Sequence, residues 1–171
     1  IEMDFSEIAM WLQSTPVSQF IIMSAWAFPL IESFHVIGVA LVFGVIAIVD
    51  LRLLGLAWNN RRITEISRDT LHWTWLGFAI AVTTGALMFV SNASTYLDNG
   101  FFLWKMGLLI LAGINMFIFE LVTAKSIENW VEIGQQMPVA AKVAGFLSLA
   151  FWFLVIVTGR WIGFTLFALP F

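Results

Sequence analysis

The chain has two histidines, His35 and His72, and no cysteine. His35 stands inside the apolar run "FHVIGVALVFGVIAIVDLRLLG". An ionisable side chain in hydrocarbon costs roughly 2.5–3.5 kcal/mol on insertion scales, so it is a functional candidate by default. A lone imidazole suits one task well. A porphyrin already supplies four nitrogens to iron and asks the protein for only one or two axial ligands. Without cysteine, disulfides, iron–sulfur clusters, thiolate-bound metals and covalently attached haem are excluded. With two histidines, a multi-histidine metal centre is excluded as well.

A second candidate follows from a weak internal repeat. The second apolar stretch ends "VTTGALMF" and the fourth "IVTGRWIGF". The pairs Thr84-Gly85 and Thr158-Gly159 fall at matching depths. His35 precedes Thr84 by 49 residues and Lys105 precedes Thr158 by 53. His35 and Lys105 thus occupy equivalent places in two hairpins of the same orientation, related by a pseudo-twofold along the membrane normal. Each lies ~6 Å inside the start of its helix at 1.5 Å per residue. Gly38, Gly85, Gly107 and Gly159 belong to the same layer, and glycine lets a flat ligand approach the backbone. His35 and Lys105 are therefore the expected axial ligands of a haem b. Met88 and Met106 are alternatives to Lys105 that need lose no proton. Arg160, at the rim, is expected to pair with a propionate, a bidentate task suited to guanidinium.

Taken singly, the same residues have plainer readings. His35 could donate to a backbone carbonyl, Lys105 could snorkel, and Arg160 could be an interfacial anchor. A second group, Asp50, Arg52, His72 and Glu120, lies toward the other membrane face. It reads as salt bridges and caps at headgroup level, with a proton-entry or quinone site as the functional alternative. His72 is separated from His35 by ~20 Å or more of helix rise, so one haem cannot join them. Asn115 reads as an interhelical hydrogen bond.

The elements that must position these residues follow from composition. Of 171 residues, 61% are hydrophobic and 11% charged, the net charge is −3, and the mean hydropathy is +0.94. A membrane bundle is the natural reading, and nothing basic is concentrated enough for nucleic acid. Four apolar stretches, about 31–54, 71–91, 101–122 and 142–162, each approach the ~20 residues a spanning helix needs. The expected fold is an all-α four-helix bundle over 28–171. Residues 1–27 form an amphipathic interfacial segment. Pro29 suits the first turn of the first spanning helix. Arg52, Arg61, Arg62, Arg68, Lys125 and Lys142 cluster on one side, which marks it as cytoplasmic. Both termini are then expected outside, in the periplasm of a bacterial inner membrane. "NAS" at Asn92–Ser94 matches a glycosylation acceptor and carries little weight.

The stretches "FHVIGVALVFGVIAIVDLRLLG", "TTGALMF" and "FFLWKMGLLILAGINMF" resemble the small four-helix membrane proteins of the HemJ and CopD type. The matching positions are His35, Gly38, Arg52-Leu53, Thr84-Gly85 and Lys105. The resemblance implies a haem-b site held by His35 and Lys105. The basic, tyrosine-rich segment that HemJ-like proteins carry after the first helix is missing. This chain therefore looks closer to another branch of that architecture than to a protoporphyrinogen-oxidising protein.

The expected function is a membrane haem-b protein that passes electrons between an outer partner and quinone, or oxidises a lipophilic substrate. The rivals are a cofactor-free anchor subunit of a larger complex and a copper-handling protein of the CopD type. A membrane or periplasmic redox protein is the expected partner, and a homo-oligomer or a subunit of a complex is the expected state.

Overall fold

The computed structural model describes residues 5–119 and 137–165. Among them the chain is all-α: α1 (Phe5–Gln13), α2 (Pro16–Met23), α3 (Ala27–Leu53), α4 (Ile63–Ser91), α5 (Ala93–Leu97), α6 (Gly100–Ile118) and α7 (Val139–Thr165). Four helices, α3, α4, α6 and α7, are long and apolar enough to cross a membrane. Much of their surface is large exposed side chains such as Phe34, Val82, Ile110, Phe117 and Phe153, as lipid contact requires.

The ends of the helices are set locally. Thr15 caps α2 by accepting from Ser18 N–H, with Pro16 in its first turn, so the N-terminal segment is two short helices rather than one. Pro29 sits in the first turn of α3. α3 stops in a Schellman motif: Leu56 N–H donates to Leu51 C=O and Gly55 N–H to Arg52 C=O. The motif needs a left-handed residue after the cap, and Gly55 supplies it with φ +76°. Asn99 caps α6 by accepting from Phe101 and Phe102 N–H, and its side-chain amide donates to Thr165 at 2.8 Å. The start of α6 is thereby tied to the end of α7. The stretch after α3, expected as loop up to the seventies, already contains the first two turns of α4, and Arg61 and Asp69 pair there at 2.6 Å.

In lipid, helices associate through close packing and hydrogen bonds rather than through the hydrophobic effect. α3 and α4 cross at two glycines. A Cβ on Gly38 would lie 2.8 Å from Ala81 N and 3.1 Å from Gly77 O, and one on Gly77 would lie 3.0 Å from Val42. α3 and α7 meet at Gly145, whose Cβ would lie 3.1 Å from Asp50 O and from Leu53 Cβ. α6 and α7 are joined by Asn115, which donates to Ala144 C=O at 3.0 Å. A core of Leu53, Ile63, Met137 and Ala141 closes the arginine-bearing end.

Among the described residues the backbones of the two hairpins, α3–α4 and α6–α7, approach one another only along α3 and α7. Among the described residues no Cα of α4 comes within 8 Å of a Cα of α6, nor of α3 to α6. The pseudo-twofold would map the α3–α7 contact onto α6–α4. One seam is therefore shut and its symmetry mate is open.

Candidate functional site

The end of the bundle that carries His35 is built around the two Thr-Gly pairs. His35 Nδ1 lies 2.9 Å from Ala81 C=O and 3.1 Å from Thr84 Oγ1. A carbonyl only accepts, so Nδ1 carries a proton and donates. Thr84 gives its own hydroxyl proton to Ile80 C=O at 2.6 Å, so its oxygen also accepts from the ring. Both contacts fix one tautomer. In the neutral imidazole Nε2 holds the lone pair, and among the described residues it has no partner. A histidine held through Nδ1–H by a backbone carbonyl is the arrangement that orients metal-ligating imidazoles. Gly85 gives the ring its room: a Cβ there would lie 3.1 Å from His35 Cε1.

The second hairpin repeats the cradle. A Cβ on Gly159 would lie 3.3 Å from Lys105 Nζ, and Thr158, like Thr84, donates to the carbonyl four residues back, here Leu154 at 2.8 Å. Lys105 is half-buried and is the charged group close enough to act electrostatically on the His35 ring. Among the described residues Lys105 forms no ion pair; the one salt bridge there is Arg61–Asp69. His35 and Lys105 are therefore brought into one layer, each over the glycine of a Thr-Gly pair.

About one helical turn toward the near surface, an aromatic bridge crosses the open seam. The Phe89 and Phe102 rings stack at 5.5 Å and 12°, and Tyr96 packs on Phe102 at 5.3 Å and beside Phe89. Tyr96 is buried, which pushes its phenol up to about 12, with the Glu32 charge acting in the same direction. α1 and α2 lie over this end, where Ser94 donates to Gln13 at 3.1 Å. The aromatic trio escaped the sequence reading. Tyr96 is the chain's only tyrosine, but nothing in its sequence neighbourhood signals that it closes a seam.

Other expected site residues fall elsewhere. Gly38 is filled by the α4 backbone, so it serves helix packing and leaves no room for a flat ligand. Gly107 meets nothing within 4 Å. Arg160 is exposed and its guanidinium sits 5.1 Å over the Phe164 ring, on its own helix rather than with His35 and Lys105. Met88 and Met106 are half-buried.

At the opposite end, Asp50 and Arg52 are 5% and 1% exposed, and so are not headgroup-level salt bridges. Asp50 takes a hydrogen bond from Ser148, and Arg52 Nε donates to Arg61 C=O at 2.9 Å. His72 is exposed, against Trp73. Glu120 lies outside the described residues.

The four-span arrangement coincides with a recognised family. The model of DUF6644, a family of unknown function, matches residues 25–165. The chain belongs to that family, and the match takes in all four spanning helices while leaving out α1 and α2. No curated protein and no solved structure is similar to it.

Proposed function

We propose that this DUF6644 chain is an integral membrane haem-b protein in which His35 is the axial ligand and Lys105 the second, and which exchanges electrons with a lipid-dissolved quinone. The observation that carries the reading is the His35 ring, held by Ala81 and Thr84 through Nδ1 with Nε2 unpartnered. Lys105 over Gly159 supplies a second donor in the same layer. Among the described residues no three His, Asp or Glu side chains converge. A bare ion bound by such groups would be short of ligands there, whereas a porphyrin brings its own. That argument ranks haem above copper handling.

The residues fit a porphyrin in one further respect. Among the described residues the α4 and α6 backbones stay more than 8 Å apart, Cα to Cα, and Phe89 and Phe102 bridge them nearer the surface; helices so spaced favour entry of a flat group from the lipid side. A bound haem b would supply reversible one-electron chemistry; His35 would orient it and the aromatic bridge would shield it from water. The lysine and arginine distribution supports a bacterial inner-membrane protein with both termini periplasmic and the site near the periplasmic surface, where a periplasmic or membrane redox protein would dock.

The test is the visible spectrum of the chain purified from membranes with haem supplied. The expected result is a Soret band that shifts on dithionite reduction. His35→Ala is expected to lose essentially all bound haem, because His72 lies at the far end. A colourless preparation, or a His35→Ala variant with full haem, overturns the assignment. The cofactor-free anchor subunit then becomes the better reading.

A further inference from the structure

The arginine-bearing end holds a group that the proposed haem site does not use. Asp50 lies in the last turn of α3, 5% exposed, where Gly145 brings the α7 backbone against it. One carboxyl oxygen accepts from the Ser148 hydroxyl across the α3–α7 seam. The other, Oδ2, is buried and has no hydrogen-bond partner among the described residues. Arg52, two residues on, points to the loop carbonyl of Arg61 and does not pair with Asp50.

Among the described residues, the charged groups on the elements packed around Asp50 leave it without a counter-ion. From α7 comes Lys142, nearly two turns before Ser148. From α4 come Glu65, Arg68, Asp69 and His72, of which Asp69 is taken by Arg61. Arg62 is exposed on the loop. None of these forms an ion pair with Asp50 among the described residues. Burying a carboxylate away from both water and a counter-ion is costly, and a bound proton removes that cost. If that proton were donated to a protein acceptor, the group would be a structural crosslink. Oδ2 has no such acceptor. The register of the repeat points the same way. Lys105 follows His35 by 70 positions and Glu120 follows Asp50 by the same 70. Ser148 follows Thr74 by 74, as Thr158 follows Thr84. The sequence thus sets an acid and a hydroxyl at equivalent registers in both hairpins.

We propose that Asp50, held by Ser148 across the α3–α7 seam, is a proton-binding site that exchanges its proton with the aqueous phase at the arginine-bearing end. The inference stands whether or not the opposite end binds haem.

The experiment is infrared spectroscopy of the full chain in lipid nanodiscs at neutral pH, with aspartate labelled at the carboxyl carbon. The expected spectrum has a protonated-carboxyl carbonyl band that moves with the label, disappears in Asp50→Asn and moves rather than disappears in Asp50→Glu. In D2O the band is expected to shift well before the backbone amides of the spanning helices exchange. No label-sensitive band means an ionised Asp50 and overturns the proposal. A band that shifts no faster than those amides means a sealed structural acid and overturns it equally. Because the label reads the wild-type chain, a failure of Asp50→Asn to fold leaves the test intact.

Discussion

The two hairpins offer the same cradle, a Thr-Gly pair near one membrane surface, to two different side chains. In α3–α4 the cradle holds a flat ring locked by two hydrogen bonds. In α6–α7 it holds the end of a flexible lysine that no hydrogen bond pins among the described residues. The difference extends down the helices. α3 and α4 cross glycine on backbone at Gly38 and Gly77, whereas the positions at the same registers of the second hairpin are Leu108 and Phe151. The lesson is that a repeated backbone feature need not repeat its chemistry. One half is rigid and oriented, the other adaptable. That pairing suits a site in which one ligand stays fixed while the other adjusts.

The comparison breaks first at the tight crossing. Gly38→Val puts bulk where a Cβ already meets Ala81 N at 2.8 Å, and backbone cannot yield cheaply. Overpacking of this kind costs about 1–3 kcal/mol or more. Since Ala81 also accepts from His35, haem retention is expected to fall together with stability, measured as a lowered unfolding midpoint in detergent. Leu108→Val, at the same register of the second hairpin, is expected to cost less than half as much.

Next comes Lys105, the proposed second ligand. Lys105→Met is expected to keep haem while changing the spectrum and raising the midpoint potential, since thioether ligation favours the reduced iron. Redox titration of the purified variant reads both. If Lys105→Ala leaves spectrum and potential as in the wild type, Lys105 is no ligand and Met88 becomes the candidate.

The smallest and sharpest contrast is between the two cradle glycines. Gly85→Ala sets a methyl 3.1 Å from a ring that cannot move without losing its hydrogen bonds. Gly159→Ala meets the flexible end of Lys105 at 3.3 Å. The first is expected to lower stability by about 1 kcal/mol. The second is expected to be neutral or to gain a few tenths, because alanine is the better helix former by up to about 1 kcal/mol. Equal effects in side-by-side unfolding curves would mean that the two cradles are alike and that the ring is less fixed than its contacts imply.

Much of this layer was legible in the sequence, because an ionisable residue in an apolar run is rare and the Thr-Gly pairs gave it a register. The rest was hidden for physical reasons. A glycine in a spanning helix reads the same whether it faces lipid, as Gly107 and Gly113 do, or a helix backbone, as Gly38 does. Only three-dimensional contact separates them, and contact puts Gly38 at the helix crossing rather than at a ligand. Ser148 gave no signal as the partner of Asp50, since a serine among apolar residues has an equally good local partner in its own helix. Residues 63–70 read as loop because of their charges, yet those charges lie on the first two turns of α4.

The single shut seam makes the molecule resemble a book, with α3 and α7 as its spine and α4 and α6 as the outer edges of its covers, tied at one end by α5. Gly145 binds the spine tightly, while among the described residues no Cα of α4 comes within 8 Å of one of α6 and the stacked rings of Phe89 and Phe102 reach across. An aromatic pair of that kind adds only about 0.5–1.5 kcal/mol beyond its buried area. Parting the covers would therefore leave both hairpins and the spine intact. A group as large as a porphyrin could be loaded into a finished, membrane-inserted chain rather than folded in during synthesis.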